Sequence, residues 1–207
     1  MNLTQKITLA LGLALAGASY AQTSSTVTPV GVLGQQFTEL SFGTSDIRHV
    51  SPNFYDLSLA GNVPVAPNVD LGASYGYGWI GGAYRGHANQ IEGTGTFHTN
   101  YNGVKPFVSL GLGYQWASFK GGYDDLGLWG ASVGVEIPAG ALALTPRIVY
   151  ADDFRGSSRS SQQTSYEVEG NYWVSRTTAV FGSVGFTDTN NSGNDSWDYR
   201  VGLRLKF

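Results

Sequence analysis

Trp197-Asp198-Tyr199-Arg200-Val201-Gly202-Leu203-Arg204-Leu205-Lys206-Phe207 is the stretch whose reading decides the fold. Successive side chains of a β-strand point to opposite faces. One face then carries Trp197, Tyr199, Val201, Leu203, Leu205 and Phe207. The other carries Asp198, Arg200, Gly202, Arg204 and Lys206. No helical stripe separates these residues as cleanly, so the stretch reads as a strand between an apolar medium and a polar one. On the apolar face, aromatics stand at both ends and aliphatics in the middle.

Working outward, strand-like segments separated by turn chemistry fill the chain. The expected strands are Gln36–Thr44, Asn53–Asn62, Asn68–Ile80, Ala88–Thr99, Val104–Phe119, Asp125–Ile137, Ala141–Asp153, Gln163–Val174, Thr177–Thr189 and Ser196–Phe207. Polar linkers follow the odd strands: Ser45–Pro52, Gly81–His87, Lys120–Asp124, Phe154–Gln162 and Asn190–Asp195. Mostly shorter ones follow the even strands, and the first of these, Val63–Pro67, is long for a tight turn.

The aromatic order of the closing strand recurs. Tyr75, Tyr77 and Trp79, then Tyr114 and Trp116, then Tyr150 end the apolar faces of odd strands. Trp129, Tyr166, and Trp197 with Tyr199 begin those of even strands. Antiparallel strands reverse direction, so these residues are expected at one level, near the longer linkers. Trp and Tyr gather at such a level at a membrane–water interface, because each ring is apolar with a polar tip. A thinner second belt is expected from Phe97, Tyr101, Tyr172 and Phe207. A soluble barrel also alternates, but has no reason to sort aromatics by height.

Trp197–Phe207 resembles the closing strand of bacterial outer-membrane β-barrels, which typically ends in an aromatic residue. The resemblance extends over about Gln36 to Phe207 and implies several expectations. The fold is an all-β, closed, transmembrane antiparallel barrel of ten strands, with eight as the alternative and both termini periplasmic. Phe207 serves as a C-terminal insertion signal for the barrel-insertion machinery. OmpA- and OmpX-type barrels are the nearest small relatives in kind, although no signature of either is present.

The N-terminus agrees with export to a Gram-negative cell envelope. Lys6, the apolar run Ile7–Ala18 and the Ser19-Tyr20-Ala21 cleavage pattern read as a signal peptide over 1–21. Residues 22–35 form an N-terminal lead-in, and 36–207 the barrel domain. The absence of cysteine excludes a disulfide scaffold, a thiolate metal site and a lipid anchor on cysteine. The 12 Lys/Arg less Lys6 leave 11 against 15 Asp/Glu, a net charge of −4 with no basic stripe for a nucleic acid. Twenty-nine glycines, with 5 Trp, 12 Tyr and 10 Phe, suit an all-β chain.

By the same parity a lumen charge network is expected from Glu39, Asp70, Glu92, Glu136, Arg147, Glu167, Glu169, Arg200, Arg204 and Lys206, with Asp56 and Gln115 beside it. Gly72, Ser74, Gly76, Ser109, Gly111, Gly113, Ser132, Gly134 and Gly202 fill the gaps between them. Small barrels fill their interior with side chains. The default reading is a hydrated ion-pair network in a non-catalytic barrel, a scaffold or small porin-like protein. The carboxylate excess makes a narrow cation-preferring channel the alternative. No cofactor and no metal site is expected. The expected partners are outer-membrane lipid, the insertion machinery and an extracellular molecule met through the outer loops.

Catalysis has weaker support. Ten strands and the rim candidates His49, His87, Asp124-Asp125 and Asp152-Asp153 resemble the omptins, but no histidine follows His98, so their late Asp–His couple has no counterpart. Lipid-A deacylases use a Ser–His pair, and no serine is pinned beside His87 or His98. Two further expectations concern strand quality. Pro146 should produce a bulge in the seventh strand, and the first, fourth and ninth strands alternate poorly.

Overall fold

The computed structural model describes residues 31–48, 53–80, 85–119, 122–154, 162–189 and 195–207. The expected signal peptide and His49 lie outside them. Ten strands form: β1 (Phe37–Ile47), β2 (Phe54–Ala66), β3 (Val69–Ile80), β4 (Gly86–His98), β5 (Lys105–Phe119), β6 (Gly122–Ala139), β7 (Leu142–Asp153), β8 (Gln163–Trp173), β9 (Thr178–Thr189) and β10 (Ser196–Lys206). Each pairs antiparallel with its sequence neighbour, and β1 pairs with β10 to close the barrel. The eight-strand alternative is thereby set aside.

Closure satisfies every strand edge, which is what the backbone of a spanning sheet requires. The strand ends at Ile47 and Phe54, Ile80 and Gly86, Phe119 and Gly122, Asp153 and Gln163, and Thr189 and Ser196 lie at one end of the barrel, called here the loop end. Connections 67–68, 99–104, 140–141 and 174–177 gather at the other, the turn end. Several linkers are shorter than expected, two of them markedly. β6 begins at Gly122, so that only 120–121 separates it from β5, and β2 runs on to Ala66, where the register shifts between Pro64 and Ala66.

Pro146 does not make the expected bulge. The β6–β7 register is the same on both sides, Gly134↔Arg147 and Ile137↔Leu144, and the pairs between are missing. A proline has no N–H to donate, and here the ladder opens locally without slipping. The outer wall carries a shallow groove of about 590 Å³ at this place, lined by Pro146, Ile148, Tyr166, Val168 and Trp197 among others.

Burial alternates along β10, where Trp197, Tyr199, Val201, Leu203 and Leu205 are exposed on the outer wall and Arg204 is fully buried inside. The strands β1, β4 and β9 alternate just as regularly. Their sequence hid it because apolar residues occupy inner positions (Phe37, Ile47, Ala88, Ala179, Phe181). Polar or glycine residues occupy outer ones (Asp46, Asn89, Gly93, Gly95, Gly182).

Gly202 marks the tightest point of the closing seam. A methyl group there would come within 2.5 Å of the Leu40 carbonyl oxygen and 2.5 Å of the Phe181 ring. Backbone cannot give way as a flexible side chain can. Gly202→Ala is therefore expected to destabilise the barrel by about 1–3 kcal/mol, read as a lower urea midpoint in detergent.

Candidate functional site: the lumen

The inner face of the barrel is charged, but its charges are mostly matched. Arg204 sits at the centre of the turn-end half. Its Nε donates to Glu39 Oε2 at 2.8 Å, its Nη1 and Nη2 to Glu169 at 2.6 and 3.1 Å, and Nη1 also to Asn171 Oδ1 at 3.1 Å. The guanidinium lies over the Phe181 ring at 4.1 Å and the Phe37 ring at 5.4 Å. Ion pairing and cation–π contact therefore hold one group from three other strands, β1, β8 and β9. The strand pairing places Glu39 directly opposite Arg204 across the seam.

Other pairs surround it. Arg147 grips Glu167 with two hydrogen bonds, 3.0 and 2.5 Å. Arg200 Nη2 donates to Asp56 Oδ2 at 3.1 Å. Lys105 Nζ lies 3.3 Å from Glu136 Oε1. His98 Nε2 lies 3.0 Å from Asp70 Oδ2, although off the hydrogen-bond direction. Lys206 lies on the inner face at the strand end, and its backbone N–H donates to the Thr177 carbonyl at 2.8 Å. Sequence parity named the face for Glu39, Asp70, Glu92, Glu136, Arg147, Glu167, Glu169, Arg200, Arg204 and Lys206. It did not give the pairing, and it did not include Lys105 or His98.

The chain's own residues 31–35 lie buried in the turn-end mouth, with Val32 and Leu33 fully buried against Phe37, Phe107, Trp173 and Ala179. The wall fastens this strap by its backbone. The Val32 and Leu33 N–H groups both donate to Glu136 Oε2, the latter at 3.2 Å. Gly34 N–H donates to Asp70 Oδ2 at 3.0 Å. Lys105 Nζ donates to the Leu33 carbonyl at 3.3 Å, and Asn62 Nδ2 to the Gln35 carbonyl at 3.4 Å. Asp70 and Glu136 thus act less as lumen charge than as anchors. Gly31 has φ +99° and its α-carbon abuts the Glu136 carboxylate, so a side chain there is excluded on both counts.

At the loop end the inner face is part apolar, with Ile47, Phe54, Ile80, Leu126 and Leu128 all buried. The outer wall above carries the aromatics. Tyr75, Tyr77, Trp79, Tyr114, Trp116, Trp129, Tyr150, Tyr166, Trp197 and Tyr199 all point outward. A run of ring contacts joins Phe42, Tyr55, Trp79, Tyr77 and His87, with centroids 5.9–6.2 Å apart. Phe42, Tyr55 and Phe186 belong to this belt as well, and the parity of their strands could have shown it. Phe97, Tyr101, Tyr172 and Phe207 are exposed at the turn end.

The candidates for rim chemistry are dispersed. His87 is on the outer wall and His98 in the lumen at the opposite end. Asp125 accepts from the Tyr114 hydroxyl and Asp152 from the Tyr150 hydroxyl at 3.4 Å. The hydroxyls of Thr96 and Ser109, on the wall near His98, are bonded to each other at 2.8 Å.

This architecture matches solved structures across nearly the whole chain. The translocator domain of the autotransporter NalP from Neisseria meningitidis superposes with a TM-score of 0.53 at 8% identity, covering 99% of this chain and 95% of that one. The beta domain of the Bordetella autotransporter BrkA gives 0.52 at 14% identity, covering 84% and 100%. No family model and no curated protein matches the chain. The fold is that of the outer-membrane β-barrels.

Proposed function

We propose that the protein is an integral outer-membrane barrel that acts as a closed, non-catalytic scaffold, meeting lipid through its wall and other molecules through its loops. Two observations support this. All ten strands expose large apolar side chains on the outer wall, for example Leu40, Leu59, Leu71, Ile91, Leu110, Val133, Ile148, Val168, Val184 and Leu203. Monomeric soluble proteins rarely expose apolar patches larger than a few hundred Å², and lipid is the solvent that suits a band carried by all ten strands. The strap at 31–36, tied to the wall at Glu136, Asp70, Lys105 and Asn62, closes one mouth of the lumen and supports the scaffold reading over a pore. The insertion machinery, reading Trp197–Phe207, is the partner this reading requires during assembly.

Planar-bilayer recording tests the closed lumen. The mature chain is expected to give no discrete conductance steps. A chain lacking residues 22–36 is expected to give them, and its current should prefer cations, because removing the strap frees Asp70 and Glu136 in a lumen already rich in carboxylates. Stable steps from the intact chain overturn the scaffold reading. Detergent dependence and heat-modifiable gel mobility test the membrane assignment, and a monodisperse protein without detergent overturns it.

A further inference from the structure

Glu92 stands apart from the rest of the lumen charge. Among the described carboxylates of the inner-face network, Glu39, Asp70, Glu136, Glu167 and Glu169 each approach a basic side chain, whereas Glu92 approaches none within 4 Å. It is 8% exposed, and its Oε2 has no hydrogen-bond partner. Two more oxygens share this condition beside it. Gln90 Oε1 and Gln115 Oε1 are unpartnered on side chains 4% and 2% exposed.

The three residues are neighbours by register. Gln90 pairs with Gln115 across β4 and β5, and Glu92 is the next inward residue along β4. The wall around them is kept small. Gly76 faces Gln90 and Ser74 faces Glu92 from β3, and an added methyl group at Gly76 would meet nothing within 4 Å. On the β5 side, a methyl at Gly111 would come within 2.6 Å of Glu92 Oε1, so glycine there leaves the carboxylate its position.

Three buried oxygen acceptors without donors cost free energy unless something supplies positive charge or a proton. The chemistry of the set is narrow. Its unpartnered atoms are all oxygens, with no imidazole or thiolate among them, which suits a hard cation rather than zinc or copper. The set offers one formal negative charge: Arg200 acts on Glu92 from a distance, but it is paired with Asp56, so the Glu92 charge is left to balance one further positive charge. We infer that Gln90, Glu92 and Gln115 form a lumen site for a monovalent metal cation, Na⁺ or K⁺, with the Glu92 carboxylate as its charged ligand and the two amide carbonyls completing it.

The purified full-length mature chain in detergent is heated in NaCl, KCl or choline chloride at equal ionic strength. Choline is too large for a site of this kind and serves as the reference. The expected result is a saturable rise of roughly 2–4 °C in the melting temperature with Na⁺ or K⁺ over choline. Glu92→Gln should abolish the difference between salts. Gly111→Ala keeps the charge but pushes the carboxylate aside, and should raise the cation concentration needed for half the effect. Gln115→Leu should do the same and carries the test if Glu92→Gln fails to fold.

Equal melting in all three salts overturns the proposal, and then rotated glutamine amides or water satisfy Glu92. A salt-specific rise that survives in Glu92→Gln overturns it too. Stabilisation by millimolar Ca²⁺ without any by Na⁺ or K⁺ overturns the monovalent assignment. The site does not depend on the closed mouth, which is judged by conductance, so the two readings fail separately.

Discussion

Arg204→Ala should lower the stability of the barrel by about 3–5 kcal/mol, the usual consequence of removing one partner from a buried ion pair. The reason is the asymmetry of the cluster. Among the described residues Arg204 is the one base that Glu39 and Glu169 both contact, and all three are buried. Alanine leaves two carboxylates and the Asn171 oxygen facing each other without a donor, and empties the space between Phe37 and Phe181. The measurement is a urea titration in detergent, where the midpoint should fall and the slope should hold. The companion variant makes the claim specific. Replacing Arg204 by Met together with Glu39 and Glu169 by Leu removes every charge at once, and should restore most of the loss. If Arg204→Ala alone stays within about 1 kcal/mol of the parent, the range of a solvated pair, the turn-end half of the lumen is open to water and the cluster is ornamental.

Val201→Arg is the second large effect. Val201 is 54% exposed on the outer wall, midway along β10 between Trp197 at the loop end and Phe207 at the turn end. In a bilayer that places it near the midplane, where an arginine on the lipid face costs about 2–4 kcal/mol and near the interface only about 0–1. Asp46→Arg, on the outer wall of β1 opposite Trp197, should therefore be nearly silent. The folded fraction in lipid vesicles across a urea series measures both. Equal and small effects at the two positions would mean water on the outer wall and would remove the membrane assignment.

Both predictions use information of different origin. The outward position of Val201 and the inward position of Arg204 could be read from alternation alone. The pleat imposes a period of two on every strand, so face is a local property that survives without knowledge of neighbours. Residue type failed as a guide where the lumen itself is apolar. Phe181 and Trp173 look like outer-wall residues by type but point inward, where Phe181 covers Arg204 and Trp173 helps to bury the strap. Parity already put Trp173 on the same side as Glu167 and Glu169, so the signal was there and residue type obscured it. The strap is a different case. Residues 31–36 have no periodicity and follow a Thr/Ser-rich lead, and nothing in them announces burial.

The sequence by itself determined the local quantities: ten strands, two faces for each, aromatics sorted toward one end and the ten-residue charge set on the inner face. Tertiary structure decided who meets whom. Glu39 and Arg204 are 165 positions apart and become neighbours because β1 and β10 close the ring. Val32 reaches Glu136 across 104 positions because the lead-in turns into the mouth. Among the described residues no base comes within 4 Å of Glu92, because its register sets it among Gln90, Gln115 and small residues. Side-chain direction follows from the pleat of a single strand, whereas the matching of charges follows from closure and shear of the whole barrel, which no single strand encodes.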